Sequence, residues 1–138
     1  MSTATAVLFA WRNEYSVHIP QIDNQHKGLI RLINDLHSAM VEGRGQAAAA
    51  TILDSLVRYT ESHFSFEEGM LRQRGFSRLE SHRAEHRRLT QQVQDLREKS
   101  RSGRLIITVE VMHFLKNWLA NHIMGFDQTY ARELAAKH

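Results

Sequence analysis

The sequence predicts an all-α protein, an antiparallel up-down-up-down four-helix bundle with an N-terminal arm and a short C-terminal helix. Three observations lead there. Apolar residues recur at intervals of three and four in four separate stretches, the mark of a helix with one buried face. Each stretch runs for roughly 20 residues, or about 30 Å of helix. Short glycine-bearing breaks separate them, at Gly43-Arg44-Gly45, Gly75 and Arg101-Ser102-Gly103, and short connections make neighbouring helices antiparallel. At 138 residues, 42% hydrophobic and with one proline, residues 1–138 are expected to form a single domain burying roughly two-thirds of its unfolded surface.

Residues 1–22 carry Phe9, Trp11, Tyr15, Val17 and Ile19 without a sustained helical period, and Pro20 closes the segment. So much apolar content predicts an arm that packs along the domain and not a disordered tail. Asp23 is the expected N-cap of a first helix over residues 24–41, with His26, Leu29, Ile33, Leu36 and Met40 as its inward stripe. The second helix is expected from Gln46 to Arg74, with Leu56, Thr60, His63, Glu67 and Met70 on one face. The third begins near Ser77, a candidate cap, and reaches Ser100 along Leu79, His82, His86, Leu89, Val93 and Leu96. The fourth spans 105–124, with Leu105, Thr108, Met112, Leu115, Leu119 and His122 inward, so that the bundle occupies 24–124. Gly125 interrupts it, and a short final helix covers 126–136.

Composition removes several classes of function. Cysteine is absent, so neither disulfides nor thiolate ligands are available, which suits a cytoplasmic location. No apolar run approaches the ~20 residues of a membrane span, and no basic region precedes the short apolar patch near the N-terminus, so neither membrane insertion nor a secretory signal is expected. The net charge of +3 is small. The arginines from Arg72 to Arg104 are interspersed with glutamate and glutamine, without the aromatic or glycine pattern of a nucleic-acid module.

Histidine is the unusual component, with nine copies. One histidine on an apolar face is ordinarily a core residue satisfied by a hydrogen bond. Here His26, His63, His82, His86 and His122 all lie on inward faces, and every one of the four helices contributes. Pairs spaced by four, His63 with Glu67 and His82 with His86, share a helix face. The level matches as well. His26 opens the first helix, His63 and Glu67 lie toward the end of the second, His82 and His86 open the third, and His122 closes the fourth. In an antiparallel bundle all these positions fall at one end. Unpaired imidazoles gathered in a core are costly, and a metal that uses their lone pairs removes the cost. His113 lies about half a turn round from His122, His37 about 16 Å along the helix from His26, and His18 and His138 in the arm and at the terminus. These four are left out. Asp127 follows His122 by five residues, which on a regular helix points it about 140° away; Gly125 offers a place where the helix could unwind or bulge to bring it inward.

Five imidazoles and two carboxylates exceed the four ligands of a single zinc. They suit two metals bridged by the carboxylates, and a nitrogen-rich set without thiolate favours iron over magnesium or calcium. Di-iron oxidases and ferritins need two Glu-x-x-His motifs; Glu110-x-x-His113 alone fits, which disfavours that class.

The spacing His26, His63-x3-Glu67, His82-x3-His86, His122-x4-Asp127 resembles the hemerythrin family, specifically its single-domain bacterial members. The strings Ile22-Asp23-x-Gln25-His26-Lys27, His63-Phe64-x-x-Glu67-Glu68 and Trp118-Leu119-x-x-His122-Ile123 carry the likeness, which runs from about Trp11 to Tyr130. It implies two iron ions (Fe2+/Fe3+), one held by His82, His86 and His122 and the other by His26 and His63. Glu67 and Asp127 would bridge them beside an oxo or hydroxo bridge, which makes Asp127 a ligand. The implied activity is reversible dioxygen binding for carriage, storage or delivery, without catalysis, the oxygen held as a hydroperoxide at the five-coordinate iron. Leu119, Trp118 and Met112 are the expected pocket lining, although ordinary core packing would place them similarly. An oxygen or redox sensor module and a di-iron enzyme handling peroxide or nitric oxide are the alternatives. The remaining expectations are a monomer that docks to an oxygen-consuming protein. Two positions depart from the family pattern: Ser77, where a proline often follows the aromatic, and Phe126, where a smaller residue is common.

Overall fold

In the computed structural model, which describes residues 7–104 and 106–136, four long helices form the body of the protein. They are α1 (Pro20–Val41), α2 (Gly45–Gln73), α3 (Leu79–Arg101) and α4 (Val109–His122). A π-helical turn, Ile123–Asp127, leads from α4 directly into the short α5 (Gln128–Ala135). No strand occurs among the described residues, and α1 packs on α2 and α4 while α2 packs on α3. The predicted fold class is the observed one. No helix among the described residues is long and apolar enough to cross a membrane.

Four boundaries differ from expectation, each for a local reason. Helix α1 starts at Pro20, not after Asp23. Proline is well suited to the first helical position, because its missing N–H would be unsatisfied there anyway. The Asp23 carboxylate instead accepts from the Ser16 hydroxyl (2.6 Å) and the Val17 N–H (2.9 Å), which fastens the arm to the first turn. Helix α3 begins at Leu79 because Ser77 is engaged elsewhere. Its N–H and hydroxyl both donate to the Glu133 carboxylate on α5, at 2.9 and 2.5 Å. Helix α4 begins at Val109, with Thr108 as its N-cap accepting from Val111 N–H (3.3 Å) and not as an inward core residue. The β-branched run Ile106-Ile107-Thr108 disfavours an earlier start. Leu105, the expected first residue, and His138 lie outside the described residues. Finally, the last helix covers 128–135 and not 126–136, the π-helical turn taking the preceding positions.

Gly75 ends α2 as expected, with a φ of 71° that favours glycine. The Phe76 N–H reaches back to the Leu71 carbonyl (3.0 Å), which folds the chain toward α3. The arm is packed along the bundle. Asn34 of α1 accepts from the Phe9 N–H and donates to the Phe9 carbonyl, while Gln128 of α5 donates to the carbonyls of Glu14 and Ser16.

Two apolar clusters result. The larger joins all four helices through residues such as Leu29, Ile33, Leu56, Val93, Leu115 and Leu119. The smaller gathers Val17, Ile22, Leu71, Phe76, Tyr130 and Leu134 beneath the arm and α5. Between them sits a polar group. Phe64 of the first cluster stacks on His86 at 3.7 Å between ring centroids, and Phe76 and Tyr130 of the second meet the edge of His82.

Candidate metal centre

Helical periodicity brings six of the seven candidate groups together without help. His26 of α1, His63 and Glu67 of α2, and His82 and His86 of α3 all face the bundle axis at one end, as does His122 at the close of α4. None of them is more than 2% exposed, and Asp127 is fully buried. Asp127 arrives by a different route. The π-helical turn from Ile123 to Asp127 replaces the regular i→i+4 pattern by i→i+5, and the carboxylate swings back onto the His122 face. Its Oδ1 lies 3.0 Å from His122 Nε2.

The two carboxylates divide their oxygens between the same two sets of histidines. Glu67 Oε1 lies 2.8 Å from His82 Nε2 and 2.9 Å from His86 Nε2, and its Oε2 faces His63 (3.7 Å) and His26 (3.9 Å). Asp127 Oδ1 faces His122 and His82 (3.3 Å), and its Oδ2 faces His26 Nε2 (3.1 Å). Thus three imidazoles share one side and two share the other, with both carboxylates spanning the gap. Two potential cation-binding groups follow from the geometry, Glu67–His82–His86–His122–Asp127 and His26–His63–Glu67.

Burial pushes His63 down to about 4 against the opposing pull of Glu67, so that its imidazole is neutral at pH 7. Burial also opposes charge on His82 and His122, but the carboxylates outweigh it and push them up to about 9 and about 10. Burial and mutual repulsion would raise Glu67 and Asp127. Their contacts with the histidines win, and both carboxyls fall well below the usual range.

Four of the five Nε2 atoms, those of His26, His63, His86 and His122, and both Asp127 oxygens are buried without a hydrogen-bond partner among the described residues. Buried polar atoms are ordinarily paired. A set of such atoms, all lone-pair donors and all converging, fits divalent or trivalent cations with a preference for nitrogen and oxygen.

Residues behind the histidines fix several of the rings. Gln25 Oε1 contacts His63 Nδ1 at 2.6 Å and Glu68 Oε2 contacts His86 Nδ1 at 2.7 Å. Each selects the tautomer that leaves Nε2 free to ligate. Glu85 Oε2 stands 3.8 Å from His122 Nδ1, and that imidazole, ahead of Arg88, holds the Glu85 carboxyl down at about 2. Tyr130, fully buried, donates its hydroxyl to Glu67 Oε2 at 2.8 Å. Burial, with the Glu67 and Asp127 charges, pushes that phenol well above 10, so it remains a donor. Sequence reasoning assigned no role to Tyr130 or Glu85, and Gln25 and Glu68 entered only as parts of motifs. The available signal for Tyr130 was its position, one helical turn beyond Asp127.

The other candidates separate cleanly. Leu119, Trp118 and Met112 are buried in the larger apolar cluster, with Trp118 Nε1 donating to the Leu89 carbonyl (3.1 Å). His18 and His113 are exposed, His37 is half-buried, and none of the three belongs to either histidine group.

A family profile described as "Hemerythrin HHE cation binding domain" matches residues 17–134. Among curated proteins, the chain is 34% identical over 129 residues to a bacteriohemerythrin of Stenotrophomonas maltophilia, covering 94% of this chain and 83% of that one. It is 30% identical over 123 residues to a bacteriohemerythrin of Methylococcus capsulatus, covering 89% and 93%. A crystal structure of wild-type hemerythrin superposes with a TM-score of 0.85 at 29% identity, covering 93% of this chain and 98% of that one.

Proposed function

As the chain belongs to the hemerythrin family, we propose that it binds dioxygen reversibly at a non-haem di-iron centre, as a carrier or store and not as a catalyst. In this reading His82, His86 and His122 hold one iron, His26 and His63 hold the other, and Glu67 and Asp127 bridge the pair. The observation that carries it is the division of each carboxylate's oxygens between the two histidine sets. A single ion does not call for such an arrangement. The unequal count of imidazoles leaves the His26–His63 side with fewer protein donors, and it is there that an external ligand binds.

When bound, the iron pair supplies the two electrons that reversible dioxygen binding takes up and returns. The chain's own residues supply the setting. Gln25 and Glu68 hold His63 and His86 in register, and the Tyr130 hydroxyl steadies the Glu67 oxygen nearest the His26–His63 side. Phe64 and Phe126 stack against His86 and His122, and Phe76 covers an edge of His82. Rings packed on the ligands exclude water, and a dry site slows the protonation and loss of charge that would strand the oxidised form. Leu119, one turn before His122, with Trp118 and Met112, lines the ligand pocket. The protein acts as a monomer in the cytoplasm, consistent with its lack of cysteine, and delivers oxygen to an oxygen-consuming protein.

Metal analysis of protein isolated under air should give two irons per chain, with a visible absorption band that fades on removal of oxygen and returns with it. One metal per chain, or zinc, would overturn the di-iron assignment. Irreversible bleaching accompanied by turnover of peroxide or nitric oxide would replace the carrier by an enzyme.

A further inference from the structure

Next to the histidine cluster, and outside it, one buried hydroxyl is left over. Thr60 is 0% exposed, and its Oγ1 has no hydrogen-bond partner among the described residues. A threonine inside a helix can turn its hydroxyl back onto the carbonyl four residues earlier. Thr51 does so onto Ala47 (3.1 Å) and Thr129 onto Gly125 (3.0 Å), whereas Thr60 makes no such bond. Ser100 is the other buried hydroxyl without a partner among the described residues, and it lies near the end of α3, about 20 Å along the helix from His86.

Helix geometry gives the place of this hydroxyl. Thr60 precedes His63 and Glu67 on α2 by about one turn and two turns, so it shares their face and lies nearer the middle of the bundle. The same one-turn step inward from His26, His86 and His122 gives Leu29 on α1, Leu89 on α3 and Leu119 on α4. All three belong to the larger apolar cluster and none is more than 3% exposed. A hydroxyl therefore stands in a layer otherwise closed by leucines, directly beneath the imidazoles and carboxylates. Its Oγ1 is as inaccessible to solvent as the Nε2 atoms of His26 and His63. A group that meets it arrives with the ligand of the centre and not through a surface cavity. An unpaired buried hydroxyl costs free energy that a valine of the same shape would not.

Resting on the di-iron reading, we propose that Thr60 is a specificity-determining residue of the ligand pocket, its hydroxyl donating a hydrogen bond to the far atom of the small molecule taken up on the His26–His63 side. Residues three apart on a helix have Cβ atoms about 5–6 Å apart. Thr60 thus stands beside His63, on the side with fewer protein donors, at a separation that a diatomic or triatomic ligand bridges. The two ends of the side chain act differently. The methyl group continues the leucine layer and helps to keep the pocket dry. The hydroxyl favours ligands that carry a lone pair on the atom farthest from the centre, such as dioxygen or azide, and it keeps its proton throughout.

The test compares Thr60→Val, which keeps the shape and loses the hydroxyl, with Thr60→Ser, which keeps the hydroxyl. Visible absorbance follows azide binding to the oxidised iron-loaded protein and dioxygen release from the oxygenated one, and the metal-free proteins are melted. T60V should weaken azide binding and speed dioxygen release about three- to tenfold, the effect of one neutral hydrogen bond, while T60S stays within about twofold of the parent. Iron content should be unchanged in both. Metal-free T60V should melt no lower than the parent, because the lost hydroxyl had no partner in the protein. Unchanged azide and dioxygen behaviour in T60V, or equal weakening in the two variants, would overturn the proposal. So would a fall of more than about 3 °C in the Tm of metal-free T60V, which would show the hydroxyl bonded within the protein. Loss of iron from T60V would also overturn it, by assigning the hydroxyl to the centre and not to its ligand. The oxygen response of the parent's visible band reports the di-iron reading separately. A responsive parent with an indistinguishable T60V removes the role of the hydroxyl alone.

Discussion

Replacing Tyr130 by phenylalanine removes one oxygen atom and leaves the ring, so it isolates the hydroxyl that donates to Glu67 Oε2 at 2.8 Å. Both residues are fully buried, and water does not substitute for the lost donor. A hydrogen bond to a charged group is worth about 1.5–3 kcal/mol, and more of it is lost when the acceptor stays buried. In the metal-free protein the substitution should lower the unfolding free energy by about 2 kcal/mol. For a chain of this length that is a fall in Tm of about 5–8 °C. The metal-free form is the right one to measure, because ligand linkage raises the apparent stability of the loaded protein. The sign with pH is set by Glu67. Its folded carboxyl lies well below the usual range, so its contribution is present above the unfolded carboxyl's titration near pH 4 and fades as pH falls through the folded one. Loss of the Tyr130 donor raises the folded Glu67, but both folded carboxyls remain ionised until pH falls well below the usual range, so the difference between variant and parent should be nearly the same at pH 3 as at pH 7. Urea unfolding at pH 7 and at pH 3 measures both. A loss under about 0.5 kcal/mol at pH 7 would mean that Glu67 Oε2 finds another donor, and the positioning role of Tyr130 would fall with it.

Leu119→Ala should open a cavity one turn from His122, lower stability by about 2–5 kcal/mol and shorten the lifetime of the oxygenated form; an unchanged lifetime in stopped-flow absorbance would remove Leu119 from the pocket. Metal uptake should strengthen with pH, because His82 and His122 are pushed up to about 9 and about 10 and must give up their protons to ligate. Competition with a chelator between pH 7 and 9 should show about two protons released per chain, and a pH-independent affinity would contradict those charge states. Without metal, the same two histidines contribute stability that is complete below about pH 6.5 and is lost as pH rises through 9 to 10. Gly28→Ala would drive a Cβ into the Tyr59 ring and hydroxyl where α1 meets α2. A cost of about 1–3 kcal/mol is expected, largely recovered in the double variant with Tyr59→Ala. Simple addition of the two single effects in thermal melts would show that Tyr59 moves aside freely.

Much of this protein is written in local spacing. An interval of four residues places His63 with Glu67, and His82 with His86, on one helix face whatever surrounds them, because a helix turns once in 3.6 residues. Short breaks at glycine make the helices antiparallel, and antiparallel order alone brings the start of α1 and α3 to the level of the ends of α2 and α4. Hence the bundle and the convergence of the five histidines follow from the one-dimensional pattern. The helix starts did not, because capping groups had competing partners: Asp23 and Ser77 each satisfy a distant segment better than the helix beside them. Asp127 shows the limit most sharply. Its spacing from His122 is wrong for an α-helix, and only the π-helical turn, held between α4 and α5, returns it to the site. Which carboxylate oxygen faces which histidine, the Tyr130 hydroxyl on Glu67 and the leucine layer around Thr60 depend on contacts between segments far apart in the chain. Periodicity determines which face a side chain occupies; only tertiary packing determines what it meets there.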